Sequence, residues 1–323
     1  MRSMIIDTDT ASDDAVALLM ALRHPDIDVK AITIVAGNVP LKQASINARY
    51  TVELCGKETP VYEGVSKPLI REYYDAQFFH GPDGMGGMFY PAPKRPAQPG
   101  HAVDALVETI KANPGIILVT LGPLTNVALA VARAPEIVAN VSRCVVMGGA
   151  ANVVGNITPA AEYNIWCDPE AARAIFRSGL PVEMVGWELC RGDANLFDAD
   201  IDYCKHQLDT VYSHFAIDCN ISALQTNREW LGDPGIGLPD PVAMAVAIDP
   251  AICTRASKHY VEVECDGEYT RGMTVVDALD VTKHTTGNVA MWSPHRAKGD
   301  PHITVCWEID IPRWKDLLFD LLR

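Results

Sequence analysis

The stretch MIIDTDTASDDAVA, residues 4–17, places four aspartates between two apolar runs. The first run, Met4–Ile6, predicts a short buried strand. The second run, Ala15–Leu22, predicts a helix with Ser12 or Asp13 as its N-cap. The acids between these predicted elements are Asp7, Asp9, Asp13 and Asp14. They fall where a strand ends and a helix begins, which in an open α/β sheet is the carboxyl edge at which ligands bind.

Two explanations compete for these acids. An acid at a helix N-terminus stabilises the helix dipole by about 0.3–1 kcal/mol, which accounts for Asp13 and Asp14. It does not account for Asp7 and Asp9, because they follow strand residues. Four carboxylates packed together repel one another unless a cation compensates their charge. Hard cations such as Ca²⁺ take oxygen ligands in groups of this kind, so the stretch predicts a metal site.

The composition bounds the class of protein. The chain has 323 residues, of which 48% are hydrophobic and 21% charged, a balance typical of one large α/β domain or two small ones. The net charge of −14 argues against a nucleic-acid partner, because a phosphate backbone selects for basic surfaces. The apolar run Met4–Ile6 is too short for a signal peptide, and no apolar stretch approaches the roughly 20 residues that span a bilayer, which argues against a membrane partner.

The nine cysteines are odd in number, scattered, and form no CxxC pair. This pattern favours neither a disulfide framework nor a zinc site. It predicts a reducing, cytoplasmic location, with most of the thiols serving to fill the core.

The remaining pattern predicts an α/β fold. Apolar strand runs alternate with helical periods, which indicates a mostly parallel central sheet flanked by helices. The predicted strands are residues 29–36, 116–121, 144–147 and 182–185, and the predicted helices are residues 41–55, 102–111, 124–133 and 168–177. Near the C-terminus, Asp266-Gly267 between two strand-like runs predicts an antiparallel hairpin. A last strand at 303–309 and a closing helix at 314–322 complete a single predicted domain over residues 1–323.

Two regions depart from this alternation. Residues 62–100 are rich in glycine, proline and aromatics and contain HGPDGMGG, beginning at His80. A long irregular loop in a compact domain is more often functional than idle. Residues 198–230 predict one or two helices.

The aspartate motif resembles two families. DTDTASDDAVA resembles the DTDxxxDDxxA motif of the nucleoside hydrolases, which cleave the N-glycosidic bond of ribonucleosides. The first four of these residues, DTDT from Asp7 to Thr10, also fit the DxDxT start of haloacid-dehalogenase-type phosphatases. An EF-hand loop does not fit, because Ser12 and Leu18 occupy the positions of its required glycine and glutamate.

Later segments distinguish the two families. Eight segments match the nucleoside hydrolase pattern in order, and the phosphatase pattern predicts none of them. They are Gly37-Asn38, HGPDGMGG from His80, LGPLTN from Leu121, MGG from Met147, Gly155-Asn156, AEYN ending at Asn164, DPEAA from Asp168, and Asp240-Pro241. The resemblance covers nearly the whole chain and is to the inosine-uridine preferring type of ribonucleoside N-ribohydrolase.

This resemblance implies a Ca²⁺ cofactor and no organic cofactor. The implied metal ligands are Asp9, Asp14, Asp240 and the carbonyl of Leu121. Asp9 would also act as general base on a metal-bound water. Adjacent residues at a helix start point about 100° apart, so Asp14 could face the metal while Asp13 faces a ribose hydroxyl.

The resemblance also implies the substrate contacts. Asn164 would lie against the ribose ring and stabilise the oxocarbenium-like transition state, so with Asp9 it forms the predicted catalytic pair. The predicted substrate-binding residues are Asp13, Asn38, His80, Met147, Asn156, Glu162 and Asn164. Taken singly, an asparagine such as Asn38 is equally explained as a turn residue.

One position departs from the family pattern. The best-known branch has a histidine before the late metal aspartate, where it protonates the leaving base, but this chain has Pro239. Four residues in segments that could border the base are Trp187, Tyr212, Gln225 and Trp230. An aromatic stack on the base is one alternative route to its departure, and core packing is the alternative explanation of each aromatic residue.

The expected function is therefore Ca²⁺-dependent hydrolysis of ribonucleosides to free base and ribose, in purine or pyrimidine salvage. The alternatives are a non-catalytic, metal-bound ribose- or nucleoside-binding protein, which Pro239 supports, and a hydrolase of a non-standard N-riboside. The family forms homodimers and homotetramers, so a homo-oligomer is expected. The sequence leaves the preferred base open.

Overall fold

The aspartate motif forms the first strand and helix of a computed structural model that describes residues 1–232, 234–281 and 302–323. The strand is β1 (Arg2–Thr8) and the helix is α1 (Ser12–Arg23). The predicted N-cap was wrong, because Ala11 occupies that position and Ser12 is already helical. Ser12 cannot cap the helix with its hydroxyl, which instead lies 2.7 Å from Nδ1 of His80. Oδ2 of Asp14 accepts from the backbone nitrogen of Ala11 at 3.0 Å.

The described residues contain ten strands and twelve α-helices. The remaining strands are β2 (Ile27–Ile34), β3 (Val61–Glu63), β4 (Ile116–Thr120), β5 (Val141–Met147), β6 (Val182–Val185), β7 (Cys253–His259), β8 (Val261–Val263), β9 (Thr274–Val276) and β10 (Ile303–Ile309). The remaining helices are α2 (Leu41–Leu54), α3 (Gln77–His80), α4 (Ala102–Ala112), α5 (Thr125–Arg133), α6 (Tyr163–Cys167), α7 (Pro169–Phe176), α8 (Asp198–Asp202), α9 (Val211–Asp218), α10 (Ile221–Thr226), α11 (Pro239–Ile248) and α12 (Ile311–Leu322). Two π-helical turns, Tyr203–Leu208 and Asn227–Leu231, extend α8 and α10.

Eight strands form the central sheet, in the order β3-β2-β1-β4-β5-β6-β10-β7. All neighbouring pairs are parallel except β10 and β7, which are antiparallel. This confirms the predicted mostly parallel sheet. Strands covered on both faces should be continuously apolar, and β4 (IILVT) is buried at every position. Because β1 lies between β2 and β4, the loops that follow these three strands meet at one edge.

Helices cover both faces of the sheet, as predicted. Alternate residues of β1 point to opposite faces, so Met4 and Ile6 join one core cluster and Ile5 joins the other. The first cluster includes α1, α11 and α12, with Trp314 of α12 fully buried. The second cluster includes α4, α5 and α7. Eight of the nine cysteines are also buried, which agrees with their predicted role in the core.

The predicted antiparallel hairpin is present as β8 and β9, which form a separate two-stranded sheet. The predicted two-residue turn is wrong, because residues 264–273 connect these strands. The Glu264 side chain accepts from the backbone nitrogens of Asp266 and Gly267 at 2.8 and 3.1 Å. Asp266-Gly267 thus lies in a turn held by a side chain rather than at the tip of a tight hairpin.

Within the described ranges, no helix is both long enough and apolar enough to cross a bilayer.

Candidate active site

A cluster of buried carboxylates lies at the carboxyl edge of the central sheet. Asp13 and Asp14 are in the first turn of α1, and Asp240 is in the first turn of α11. These two helices pack against each other. As a result, the three side chains each offer a carboxylate oxygen within 4.8 Å of the others. The cluster joins residues more than two hundred positions apart in the chain.

The electrostatics of the cluster favour a bound cation. Burial, followed by the charge of Asp14, raises the pKa of Asp13 to about 7. Burial also raises the pKa of Asp14 and of Asp240. Among the described residues, the one basic side chain in ion-pair range is His80, whose Nδ1 is 3.9 Å from Asp13. Buried carboxylates without a cationic partner are costly, so this set of hard oxygen donors fits a divalent cation.

Asp9 lies beside this cluster, directly after β1. Burial and the charge of Asp14 raise the pKa of Asp9 well above its usual range. Its Oδ2 accepts from the backbone nitrogen of Asn38 at 2.6 Å. Its Oδ1 is buried without a hydrogen-bond partner among the described residues. A buried carboxylate oxygen without a partner can still bind a hydrogen-bond donor or a cation.

The predicted metal ligands are therefore brought together in part. Asp14 and Asp240 lie in one cluster, which Asp13 joins in place of Asp9. The carbonyl of Leu121, the fourth predicted ligand, accepts from Nδ2 of Asn164 at 2.9 Å. A carbonyl oxygen has two lone pairs, so this bond leaves one available.

Asn164 is held by two strand ends. Besides Leu121, its Nδ2 donates to the carbonyl of Met147 at 3.2 Å. Both carbonyls fix the amide nitrogen and so determine which way the side chain points. Within the described residues, the Asn164 Oδ1 atom accepts no hydrogen bond.

A cavity of about 380 Å³ opens over this cluster. Nine of the predicted site residues line it: Asp13, Asn38, His80, Leu121, Met147, Asn156, Glu162, Asn164 and Asp240. Asp9 and Asp14 are fully buried and lie outside its wall. Pro239, at the position of the family histidine, also lines the cavity. The structure thus gathers residues from eight separate sequence segments around one space of ligand size.

Glu162 caps α6 from the cavity wall. Its Oε1 accepts from the backbone nitrogen of Asn164, and its Oε2 accepts from those of Gly149 and Ile165. Burial raises the pKa of Glu162 to about 7 despite these three donors, which favour the charged form. The nearby Asn156 Oδ1 accepts from the backbone nitrogen of Tyr163 at 2.9 Å. Both predicted ribose contacts thus also organise the start of α6.

Aromatic side chains form the outer part of the cavity. Phe78 and Trp230 stack with ring centroids 6.0 Å apart at 12°, and both line the cavity. Trp187 also lines it, as predicted. Tyr212 lies elsewhere, with the Arg23 guanidinium 3.5 Å from its ring centroid. Gln225, on α10, is exposed and outside the cavity wall.

Some lining residues were missed by the sequence analysis. They are Ser12, Phe78, Arg191, Asn220, Thr226 and Asn227. Asn220 is buried, and its Nδ2 donates to the carbonyl of Ala216 at 3.0 Å. The sequence pattern of residues 198–230 predicts helices, but it does not indicate which polar residues face a cavity.

The family model for inosine-uridine preferring nucleoside hydrolases matches residues 4–316. The pyrimidine-specific ribonucleoside hydrolase RihA of Salmonella agona is 37% identical over 325 residues, covering 99% of this chain and 98% of that protein. The plant nucleoside hydrolase PpNRh1 has a TM-score of 0.91 and 32% identity, with 99% and 98% of the two chains covered. A purine-preferring ribonucleoside hydrolase from Gardnerella vaginalis has a TM-score of 0.87 and 30% identity, with the same coverage.

An α/β sheet with a carboxylate cluster and a ligand-sized cavity at its carboxyl edge defines a class of small-molecule enzyme. The chain belongs to the inosine-uridine preferring nucleoside hydrolase family. It is therefore a ribonucleoside hydrolase, an enzyme that acts on N-glycosyl bonds.

Proposed function

We propose that this enzyme is a Ca²⁺-dependent ribonucleoside hydrolase with Asp9 as its general base. The observation that carries the proposal is the buried carboxylate cluster of Asp13, Asp14 and Asp240 beneath a cavity of about 380 Å³. A cluster of oxygen donors without a cationic side chain is what a hard divalent ion requires.

Asp9, Asp14, Asp240 and the carbonyl of Leu121 would hold the ion. When bound, Ca²⁺ would lower the pKa of a water molecule and orient it toward the substrate. Asp13 would have a different role, because its side chain lies both in the cluster and in the cavity wall. In that position it can accept a hydrogen bond from a ribose hydroxyl next to the ion.

Asp9 would remove a proton from the attacking water. Its Oδ1 is the atom that supports this role, because it is buried and lacks a partner among the described residues. The water oxygen adds to C1′ of the ribose as the C1′–N bond breaks, and the bonding electron pair leaves with the base.

Asn164 would stabilise the positive charge that develops on the ribose ring. Its Nδ2 is fixed by the carbonyls of Leu121 and Met147, which leaves Oδ1 as an oriented acceptor dipole. Asn38, Asn156 and Glu162 line the same cavity and would contact the ribose hydroxyls, with Met147 and His80 completing the substrate contacts. Matched polar contacts of this kind select ribose strongly over analogues that lack a hydroxyl.

Ribonucleosides as a class are the proposed substrates. The relatives named above include a pyrimidine-specific and a purine-preferring enzyme, so they do not fix the base. We further propose that residues 1–323 form one domain, since one sheet takes strands from Arg2–Thr8 to Ile303–Ile309. The homo-oligomer and the cytoplasmic location stay predictions.

Ribose release tests the proposal. Inosine, adenosine, guanosine, uridine and cytidine are each incubated with the enzyme in Ca²⁺ and after chelation. Release should require Ca²⁺ and should fall by about 100-fold or more in Asp9→Ala. Asp26→Ala, which removes an exposed acid outside the site, is the matched control and should retain activity. Release that survives chelation would refute the metal dependence, and full activity of Asp9→Ala would refute the assignment of the base.

A further inference from the structure

A buried serine contacts the histidine of the cavity. Ser12 Oγ lies 2.7 Å from Nδ1 of His80. Ser12 is in the first turn of α1 and His80 ends α3, so the bond joins two elements that are far apart in the chain. Ser12 is fully buried, His80 is 8% exposed, and both line the cavity.

The direction of this hydrogen bond follows from the available partners. Among the described residues, Ser12 Oγ has His80 Nδ1 as its hydrogen-bond partner and no other. If Nδ1 carried the proton, the hydroxyl hydrogen of the buried serine would have no acceptor among the described residues. Buried donors without partners are rarer than buried acceptors with a spare lone pair. The serine therefore donates to Nδ1.

Asp13 does not reverse this assignment. Its Oδ1 is 3.9 Å from the same Nδ1, beyond hydrogen-bond distance. With Nδ1 as acceptor, a neutral His80 carries its proton on Nε2. An Nδ1 that accepts the serine hydrogen carries no proton of its own, so the ring in this hydrogen bond is neutral. No described residue accepts from Nε2, which leaves this N–H for a ligand in the cavity.

We propose that Ser12 is a positioning residue that holds His80 as an Nε2–H hydrogen-bond donor to the departing base. The proposal rests on the proposed hydrolase function and adds the group that assists the leaving base. Pro239, which lines the same cavity, has no proton to donate.

The bonds that form and break are balanced without any proton transfer from His80. The C1′–N bond breaks, its electron pair goes to the base nitrogen, and the water oxygen bonds to C1′. The proton lost by the water goes to Asp9 and then to solvent, and the departing base takes a proton from solvent. His80 stabilises the electron pair on the base through a hydrogen bond and keeps its own proton.

Leaving-group dependence tests this role. Ser12→Ala, His80→Ala and the double variant are assayed on the best ribonucleoside and on 4-nitrophenyl β-D-ribofuranoside. The nitrophenolate leaves as a stable anion, so it needs no donor. On the nucleoside, Ser12→Ala should lower kcat about tenfold or more, and the double variant should be no slower than His80→Ala. On the nitrophenyl riboside, kcat of Ser12→Ala should stay within about twofold of wild type.

Two controls separate this role from a structural one. Ser213→Ala removes another fully buried serine, which lies near a helix start and outside the cavity. This variant should not lower kcat on one of the two substrates more than on the other. Two-bond ¹H–¹⁵N NMR of the histidine rings should show wild-type His80 protonated at Nε2, and Ser12→Ala should lose that single tautomer.

Three results would overturn the proposal. They are wild-type His80 protonated at Nδ1, equal losses on both substrates in Ser12→Ala, and additive losses in the double variant. If wild type hydrolyses neither substrate, the proposed hydrolase function fails. The NMR spectrum still decides the Ser12–His80 pairing in that case, so the two failures are distinguishable.

Discussion

Gly37 lies so close to Asp9 that a methyl group on its α-carbon would come within 2.0 Å of Oδ2. On the other side, a methyl group on Gly122 would come within 2.6 Å of Oδ1. Neither glycine has a positive φ, so the requirement is for space rather than for backbone freedom. The loops after β2 and β4 thus close on the Asp9 carboxylate from both sides.

Gly122→Ala should displace the Asp9 carboxylate and lower kcat about 100-fold, because a shift of about 1 Å in a reacting group can cost that much. The measurement is ribose release, with circular dichroism to show that the variant is folded. A folded Gly122→Ala enzyme with wild-type kcat would contradict a role for Asp9 in the reaction.

Asp240→Asn should remove most of the stabilisation by Ca²⁺. A ligand at 100 times its Kd stabilises a folded protein by about 2.7 kcal/mol. The Tm of wild type should therefore rise when Ca²⁺ is added. The measurement is Tm against Ca²⁺ concentration, reversed by chelation. Asp316→Asn, an exposed acid on α12, serves as the control and should respond as wild type does. An equal Ca²⁺ response in Asp240→Asn would remove Asp240 from the ligand set.

Glu162 should make the metal-free protein less stable as pH rises. Burial raises its pKa from 4.5 to about 7 in the folded state. The contribution of Glu162 to the free energy of unfolding is fully present below pH 4.5 and is lost as pH rises to about 7. In that window the unfolded chain gives up the Glu162 proton while the folded protein keeps it. The loss is on the order of 3 kcal/mol, since each tenfold difference in proton affinity between the folded and unfolded states is worth about 1.4 kcal/mol.

Urea unfolding of wild type and Glu162→Gln at pH 4 to 8, in chelator, isolates this group from the aspartates. The stability difference between the two proteins should shrink as pH rises. A difference that stays constant across this range would show that Glu162 titrates near its usual pKa when folded.

Asn126→Ala should destabilise the fold by about 3 kcal/mol. Asn126 is fully buried, and its Nδ2 donates to Oδ1 of Asp7 at 2.9 Å and to the carbonyl of Ile34 at 3.0 Å. Its Oδ1 accepts from the backbone nitrogen of Val65 at 3.1 Å. Removing it takes three hydrogen bonds from the fold, each contributing about 1 kcal/mol. Asp7 Oδ1 keeps its bond from Thr33 Oγ1 and the Ile34 carbonyl keeps its bond from the Gly64 nitrogen, so the nitrogen of Val65 is the group left without a partner. Asn140→Ala, which loses one long bond, should cost under about 1 kcal/mol in the same denaturant titration.

Trp230→Ala should raise KM for ribonucleosides about 3- to 10-fold with little change in kcat. Trp230 lines the cavity beside Phe78, so its ring can contact a bound base, and an aromatic contact contributes about 0.5–1.5 kcal/mol. A contact with the base acts equally on bound substrate and transition state, so its loss should raise KM. Tyr269→Ala, an exposed aromatic outside the cavity, is the control. A selective fall in kcat would instead place Trp230 in the chemical step.

The elements that could be predicted were those with a local signal. Strand β6 (Val182–Val185) has the predicted bounds, because a buried parallel strand is a short continuous apolar run. Strand β7 (Cys253–His259) was missed, because most of its residues are exposed and polar. The hairpin was predicted from Asp266-Gly267, but the Glu264 side chain determines that turn.

The site, like the fold, could be predicted only where the sequence carries a local signal. The motifs predicted nine residues that line the cavity, but not that Asp13 would join Asp14 and Asp240. That grouping depends on how α1 packs against α11, which no local pattern encodes. Ser12 was predicted as a helix cap because serine commonly caps helices, and its true partner, His80, lies in the irregular region.

The position of β10 between β6 and β7 also has a consequence for synthesis of the protein. Strand β7 is made before β10, yet its partner in the sheet is β10. Until the ribosome has released residues 303–309, β6 therefore presents an open edge and β7 has no neighbour in the sheet. Unpaired edges of this kind favour pairing with other chains. A chain that stalls before Ile303 should therefore depend on chaperones for its solubility, whereas a chain that includes β10 should not.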